Sequence, residues 1–359
     1  MIYLYAGLAA ALGLAVGSFL NVCIYRLPQP DLSISRPPRS FCPKCRGAIA
    51  WYDNLPVISW LLLGARCRLC HASISARYPL VELLTAALFF LVVIEIGAPP
   101  IDAAWVIAHV FWAAVFAVLI VVTGIDIDLR IIPDELSVNG TIAALGASLV
   151  VGGVPIELEL PGFIAERLAC AAPFAFGGSA WLAIAPAALL AGSSAMWLFR
   201  RWSPAYDGSR RTWWDTRLAG VVGAAIASLL VGYCAIPGFK DEPAAQQLTA
   251  SLYGLIIGAG SIYSIGVIGK MVFRKDAMGF GDVKLMAALG ALLGWKAVLV
   301  AIFLACMLGS IVGIIVKLIT KSSYIPFGPF LSAGAGIMVL WNEWVWRGIH
   351  WYQSLFLRP

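Results

Sequence analysis

The sequence predicts an all-α polytopic membrane protein, built as a bundle of about nine or ten transmembrane helices. The chain has 359 residues, of which 61% are hydrophobic and only 12% are charged, and its mean hydropathy is +0.88. A soluble domain carries about 25% charged residues, so this composition excludes the ordinary soluble classes. Apolar runs of spanning length also recur along the chain, separated by shorter polar segments.

Nine of these runs are long enough to cross the ~30 Å hydrocarbon core as helices. They lie near residues 2–25, 79–98, 101–125, 136–153, 172–199, 218–236, 250–273, 297–318 and 326–345. A tenth run, Val283 to Leu293, reaches across only part of the core unless it continues through Gly294 and Trp295.

The first run is predicted to be a retained anchor helix. It lacks the basic start of a signal peptide, and it is long enough to span the membrane. Its Gly13 and Gly17 form a GxxxG motif, which favours close packing against another helix.

Basic residues between Arg26 and Tyr78 predict the orientation. Eight basic residues stand there against two acidic ones, so the positive-inside rule keeps this segment in the cytoplasm. Counting crossings from it places Asp126, the Arg-rich loop 200–217 and Asp282 on the same cytoplasmic side. Topology accounts for the basic residues, and no nucleic-acid partner is predicted.

Four cysteines in this segment form two C-x-x-C pairs, 21 residues apart: Cys42, Cys45, Cys67 and Cys70. Four thiolates in two such pairs can close a tetrahedral zinc site. A cytoplasmic location favours thiols over disulfides, although two disulfides or redox chemistry remain alternatives. Because the protein fills all four positions, the metal is expected to be structural, with His71 a bystander.

Aspartates near the membrane boundary are the candidate catalytic groups. Asp126 and Asp128 are two residues apart, so on a helix they point to nearly opposite sides and cannot form one catalytic pair. The partner carboxylate must come from elsewhere, and Asp282 is the candidate. The preceding Gly279 and Gly281 are expected to let this loop approach a bound chain closely.

Each acidic residue also has a purely structural interpretation. Asp134, after Pro133, is typical of the N-cap of the next helix. Asp128 can pair with Arg130. Asp282 can simply begin a helix, where the macrodipole favours an anion by ~0.3–1 kcal/mol. The residues alone leave a functional Asp126–Asp282 pair and these alternatives open.

Taken together, the motifs resemble the type IV prepilin peptidases, leader peptidase/N-methyltransferases related to the GxGD-type membrane aspartic proteases. The matching stretches are "GSFLNVCIYRLP" (17–28), the cysteine segment through "RYPLVE" (77–82), "DIDLRIIPD" (126–134), "AMGFGDVKLMAALGALLGW" (277–295) and "IPFGPFL" (325–331). They span both ends of the chain, and their joint occurrence is highly specific.

The resemblance implies an aspartic endopeptidase that removes the leader of type IV prepilins or pseudopilins on the cytoplasmic side of the bacterial inner membrane. It implies that Asp126 and Asp282 are catalytic and that the cysteine tetrad binds zinc. The supporting positions are Asp128, Gly279, Gly281 and Lys284.

The resemblance also implies N-methylation of the new amino terminus, with S-adenosylmethionine as co-substrate. No glycine-rich nucleotide fingerprint supports a binding site, so the residues that hold this co-substrate stay unknown. The expected partners are the substrate helix and membrane lipids.

Three parts are predicted along the chain: an N-terminal transmembrane helix at 1–25, a cytoplasmic zinc-binding domain at 26–78 and a membrane-embedded peptidase domain at 79–359. The last is predicted to contain an inserted helix pair at 160–249, because Asp126 and Asp282 are farther apart than the corresponding aspartates of the family that the chain resembles. The aromatic and basic loop 200–217 within it favours a contact with anionic lipid.

Two functions of other classes fit parts of the pattern. A proton-coupled transporter would use intramembrane acids as a relay, but it needs no zinc segment, and no repeat pairs the acidic stretches. A membrane assembly factor would use the cysteine segment for docking and would need no catalytic aspartates.

Overall fold

A computed structural model describes residues 2–29, 32–35, 39–97, 103–150, 220–226, 243–274, 278–320 and 325–356. The described residues are almost entirely helical, and they contain only two isolated β-bridges and no longer strand. The predicted helix 172–199, the loop 200–217, Cys170 and Cys234 lie outside the described residues. Of the predicted helix 218–236, only 220–226 is described, as a helix.

Ten α-helices are bounded in these ranges, together with one 3₁₀ turn at Trp51–Asn54. They are α1 (Ile2–Arg26), α2 (Ile58–Leu62), α3 (Arg77–Ile96), α4 (Ala103–Leu129), α5 (Asp134–Val150), α6 (Pro243–Phe273), α7 (Phe280–Leu293), α8 (Trp295–Thr320), α9 (Gly328–Leu340) and α10 (Asn342–Phe356).

Five of the described helices, α1, α3, α4, α6 and α8, are long and apolar enough to cross a membrane, and α9 is a shorter apolar helix. The predicted all-α membrane fold is confirmed. The predicted total of nine or ten crossings also counts stretches outside the described residues.

The chain divides into two compact units, Met1–Arg130 and Ile131–Pro359. In the first unit, α1 packs along α3. A Cβ added to Gly13 would lie 2.7 Å from the Ala86 Cα, and one added to Gly17 would lie 2.7 Å from the Glu82 Cα. No side chain fits at either position, which confirms the close packing predicted from the GxxxG motif.

In the second unit, α7 packs mainly against α6 and α5. The α6–α7 crossing is a backbone contact: a Cβ on Gly254 would lie 2.0 Å from the Gly290 carbonyl oxygen, and one on Gly290 would lie 2.1 Å from the Gly254 carbonyl oxygen. This close approach fixes α7, the helix that carries Asp282, against a longer neighbour.

One predicted boundary is confirmed and another is wrong. The run after Asp282 ends at Leu293, as predicted, and Gly294, with a φ of 79°, separates α7 from α8. The predicted span 326–345 divides at Trp341, because Asn342 and Glu343 begin α10, a helix with a polar side. The high average hydropathy of that stretch concealed the break.

Candidate functional site

The last turn of α4 carries Asp126. The helix runs to Leu129, and Asp126 is buried, with 6% of its surface exposed. Arg130 follows with a left-handed φ of 59°, and its backbone N–H donates to the Asp126 carbonyl oxygen at 2.9 Å. Asp126 therefore lies at the negative end of the helix dipole.

Asp128 faces another direction from Asp126, in keeping with their spacing on one helix. Its carboxylate accepts a hydrogen bond from the guanidinium of Arg77, the first residue of α3. The sequence suggested Arg130 as the partner. The packing of α3 against α4 brings in Arg77, which comes directly after the cysteine segment.

Asp282 lies in the first turn of α7. Gly279 precedes the helix in an extended conformation, and the Asp282 backbone N–H donates to its carbonyl oxygen at 3.2 Å. A Cβ added to Gly279 would lie 3.6 Å from Asp282 Oδ2, so the carboxylate turns back toward the helix start. The positive end of the dipole favours an anion there.

The two glycines before Asp282 have different surroundings. Gly281 packs against the segment that leads into α5, where an added Cβ would lie 3.0 Å from the Ile132 Cβ. This contact accounts for Gly281 without any bound chain. Gly279 is exposed. Close approach of a bound chain stays a prediction for both glycines.

Lys284 is buried and points to α5. Its Nζ donates to Asp134 Oδ1 at 2.9 Å and lies 5.3 Å from the centre of the Phe280 ring. Asp134 is the first residue of α5. The sequence predicted that it would be the N-cap, one position before the helix. The Asp134 carboxylate thus binds α7 to α5 through Lys284.

The two predicted catalytic residues belong to different units, Asp126 to the first and Asp282 to the second. Each unit presents its aspartate at the end of a helix. The pairing of the two carboxylates stays a prediction from the family resemblance.

The four cysteines form one cluster, with their sulfur atoms all within 4.8 Å of one another. Each C-x-x-C pair folds as a knuckle with the same hydrogen bonds. The Cys42 N–H donates to Gly47 O and the Cys67 N–H to Ala72 O, both at 2.9 Å. The knuckles also repeat a positive φ directly after the second cysteine, at 58° and 57° respectively.

His71 takes that left-handed position in the second knuckle, as Arg46 does in the first. Its place in the turn explains why a histidine adjoins Cys70 without entering the cluster. Asp53, in the 3₁₀ turn, accepts two hydrogen bonds from Arg68, at 2.8 and 2.6 Å. These hydrogen bonds lower the pKa of Asp53, and this residue has a turn and ion-pair role.

The cluster fits a tetrahedral metal. Four sulfurs about 2.3 Å from zinc stand roughly 3.8 Å apart, and Cys42 Sγ and Cys70 Sγ are 3.9 Å apart. The backbone N–H groups of Cys70 and Leu69 lower the pKa of the Cys67 thiol to about 7, which favours the thiolate that metals bind. The Ala72 N–H lowers the pKa of Cys70, but desolvation and the neighbouring thiols outweigh it and raise that pKa to about 11, so without metal the charge stays mainly on Cys67. All four thiols are free, so the disulfide alternative is wrong for this cluster.

Three buried polar residues that the sequence did not single out hold the cysteine segment to α1 and α3. The Arg26 guanidinium donates to the carbonyl oxygens of Ser33, Ile34 and Arg39. Asn21 Nδ2 donates to Tyr78 O at 3.1 Å, and Glu82 Oε2 accepts from the Val57 N–H at 2.7 Å. In the sequence, the only indication of these roles was that each polar residue interrupts or ends an apolar run.

Two family models match the chain. The Bacterial Peptidase A24 N-terminal domain matches residues 11–96, which contain the cysteine segment. The Type IV leader peptidase family matches residues 113–314, which contain both predicted catalytic aspartates.

Curated relatives match nearly the whole length. A prepilin leader peptidase/N-methyltransferase of Aeromonas salmonicida (strain A449) is 30% identical over 99% of this chain and 96% of its own. The protein of that name from Neisseria gonorrhoeae is 30% identical over 97% and 94%, respectively. A third, from Myxococcus xanthus (strain DK1622), is 44% identical over 42% of each chain. No solved structure matches the chain.

Proposed function

Because the chain belongs to the type IV leader peptidase family, we propose that it cleaves the leader peptide of type IV prepilins or pseudopilins and N-methylates the new amino terminus. One observation carries this proposal: Asp126 and Asp282 lie within the matched family region, each at the end of a helix. The first unit adds a cysteine cluster suited to a metal, within the residues that match the Bacterial Peptidase A24 N-terminal domain.

The proposed peptidase step uses Asp126 and Asp282 as one pair that shares a proton, since two close carboxylates do not both ionise readily. The ionised member accepts a proton from water as that water attacks the scissile carbonyl carbon. The protonated member donates its proton to the carbonyl oxygen and takes it back when the tetrahedral intermediate collapses. The other member passes the proton that it took from water to the leaving amine. The pair titrates as a unit.

The helix ends support a polarity for this pair. Asp282 lies in the first turn of α7, where the dipole favours a negative charge, and Asp126 lies in the last turn of α4, where the dipole disfavours it. We therefore assign the proton mainly to Asp126 and the role of general base to Asp282.

The proposed site lies on the cytoplasmic side of the bacterial inner membrane. The charge bias of the segment from Arg26 to Tyr78 supports this orientation, because basic loops stay on the cytoplasmic side. The five candidate spans support a multi-pass protein.

The proposed metal is zinc, held by the four cysteine sulfurs. With all four positions filled by protein, zinc would have no open coordination position and would stabilise the fold of the segment. The proposed co-substrate for methylation is S-adenosylmethionine, which would supply the methyl group.

The experiment is a cleavage assay with purified full-length protein in detergent and a prepilin. Wild type is expected to cleave, and Asp126→Ala and Asp282→Ala are expected to be inactive while keeping the wild-type melting temperature. Absence of cleavage by folded wild-type protein would reject the peptidase proposal. Mass spectrometry of the product, with and without S-adenosylmethionine, tests methylation.

A further inference from the structure

A group of exposed apolar side chains lies in the cysteine segment, in residues that are not part of the membrane-crossing helices. Between the two knuckles, large hydrophobic residues are open to solvent, including Leu62 at 81% and Trp51 at 77% exposed. The group, here called the apolar patch, consists of Trp51, Tyr52, Leu55, Ile58, Leu61 and Leu62. Exposed apolar residues on a spanning helix face lipid, but these residues belong to a 3₁₀ turn, the one-turn helix α2 and the chain between them.

The patch is held beside the first two turns of α3. Glu82 is the sixth residue of α3, and its Oε2 accepts from the backbone N–H of Val57 at 2.7 Å. At 1.5 Å per residue, Glu82 lies about 7.5 Å along the helix from Arg77. Val57 precedes α2 directly, so the patch is drawn along α3 toward the membrane instead of extending away from it.

The length of α3 fixes the depth of this contact. The candidate span Arg77–Glu95 has 19 residues, about 28 Å, against a hydrocarbon core of ~30 Å. Such a helix has no turn to spare, so its first residue lies at the core boundary, and Glu82, about 7.5 Å further along the helix, lies at the level of the outer hydrocarbon core. Val57, hydrogen-bonded to Glu82, is held at the same level.

The charges next to the patch suit an anionic surface. Between Arg39 and Ala76, five basic residues stand against one acidic residue, Asp53, which is already paired with Arg68. Arg66 is exposed beside the second knuckle. Aromatic side chains with neighbouring cations are the composition that binds the interface of a membrane rich in anionic lipid.

We propose that the apolar patch inserts into the interface of the membrane that α1 and α3 cross, with anionic lipid headgroups around the adjacent basic residues. The chain between the two metal-binding knuckles would then rest on the membrane surface and not project from it. This contact is independent of the proposed peptidase activity, because it follows from the depth of Val57 and the exposure of the patch.

The test uses the full-length protein in nanodiscs that contain phosphatidylglycerol, with the photoreactive residue p-benzoylphenylalanine introduced at Leu62. Leu62 is almost fully exposed, so the replacement does not disturb the fold. Lys44, exposed in the first knuckle and outside the patch, is the matched control position. Lipid adducts detected by mass spectrometry are expected at position 62, with a yield at least fivefold above that at position 44.

Equal yields at the two positions, or no lipid adduct at position 62, would overturn the proposal. So would a position-62 probe that, on addition of a prepilin, exchanges its lipid adduct for a crosslink to the prepilin, because the patch would then be a substrate surface. In nanodiscs of zwitterionic phosphatidylcholine alone, the yield is expected to fall severalfold. An unchanged yield would reject the role of anionic headgroups.

A second measurement needs no photoreactive residue. The fluorescence difference between wild type and Trp51→Phe isolates the emission of Trp51, which is replaced by another aromatic residue. Lipids brominated near the headgroup are expected to quench at least half of this difference, and aqueous iodide to quench little of it. The opposite ranking would contradict insertion of the patch.

Discussion

Lys284 and Asp134 form an ion pair, with 2.9 Å between Nζ and Oδ1, and their side chains are only 5% and 19% exposed. Lys284 lies in α7, two positions beyond Asp282, and Asp134 is the first residue of α5. The pair therefore joins the start of α7 to the start of α5. Removing one partner of a buried pair leaves an uncompensated charge, which costs roughly 3–5 kcal/mol.

We therefore expect Lys284→Met to lower the melting temperature in detergent markedly and to reduce prepilin cleavage. The double variant Lys284→Met/Asp134→Asn is expected to melt at a higher temperature than Lys284→Met alone, because no unpaired carboxylate remains. Lys317→Met, at an exposed position of α8, is the control and should melt like wild type. Additive effects of the two substitutions would show that the pair contributes no coupling.

The α6–α7 crossing predicts that the same Gly→Ala substitution changes stability in opposite directions at two positions of α6. Gly254→Ala would place a Cβ 2.0 Å from the Gly290 carbonyl oxygen, so the two helices must separate. Overpacking of this kind costs about 1–3 kcal/mol or more. Gly260→Ala, also in α6, meets nothing within 4 Å and is expected to gain about 0.5–1 kcal/mol from helix propensity. Thermal unfolding of both variants measures the difference, and equal melting temperatures would refute the crossing.

The cysteine cluster predicts metal binding that depends on four residues. Cys42→Ser is expected to reduce bound zinc from about one per chain to a small fraction, because structural sites need all four ligands. The segment 39–76 should then become sensitive to limited proteolysis. Cys306→Ser, at an exposed cysteine outside the cluster, should keep full zinc content. Elemental analysis of the purified variants decides, and retained zinc in Cys42→Ser would exclude the four-cysteine site.

The proposed polarity of the catalytic pair predicts unequal asparagine variants. An asparagine can donate a hydrogen bond but cannot accept a proton as a base, so Asp126→Asn should retain more activity than Asp282→Asn. The difference is expected to be roughly tenfold or more, because a general base contributes about 10²–10⁴-fold. Single-turnover cleavage rates measure it. The reverse ranking would assign the base to Asp126 instead.

Several elements of the fold could be predicted because their cause is local. The GxxxG of α1 marks its contact with α3, since only small residues permit that approach. Asp282 begins a helix because a glycine and an acidic first turn favour a helix start. Two C-x-x-C pairs predict one cluster because a tetrahedral metal needs four ligands.

Other features depended on contacts between distant residues, which spacing does not reveal. Asp128 pairs with Arg77 across 51 positions, and Lys284 pairs with Asp134 across 150. Gly281 packs against Ile132, a contact that its spacing from Asp282 does not indicate. In each case the residue type was informative, but its partner could be identified only from the packing.

The backbone of the cysteine segment links metal supply to conformation. Of six described non-glycine residues with positive φ, four lie in this segment: Arg46, Val57, Ala65 and His71. Each left-handed residue costs about 1–2 kcal/mol, so the free chain would relax from this shape without compensating ligation. Metal occupancy and the native conformation of the segment then form a single equilibrium. A chelator would act on it as a denaturant does, with an all-or-none loss of both knuckles instead of a graded loosening.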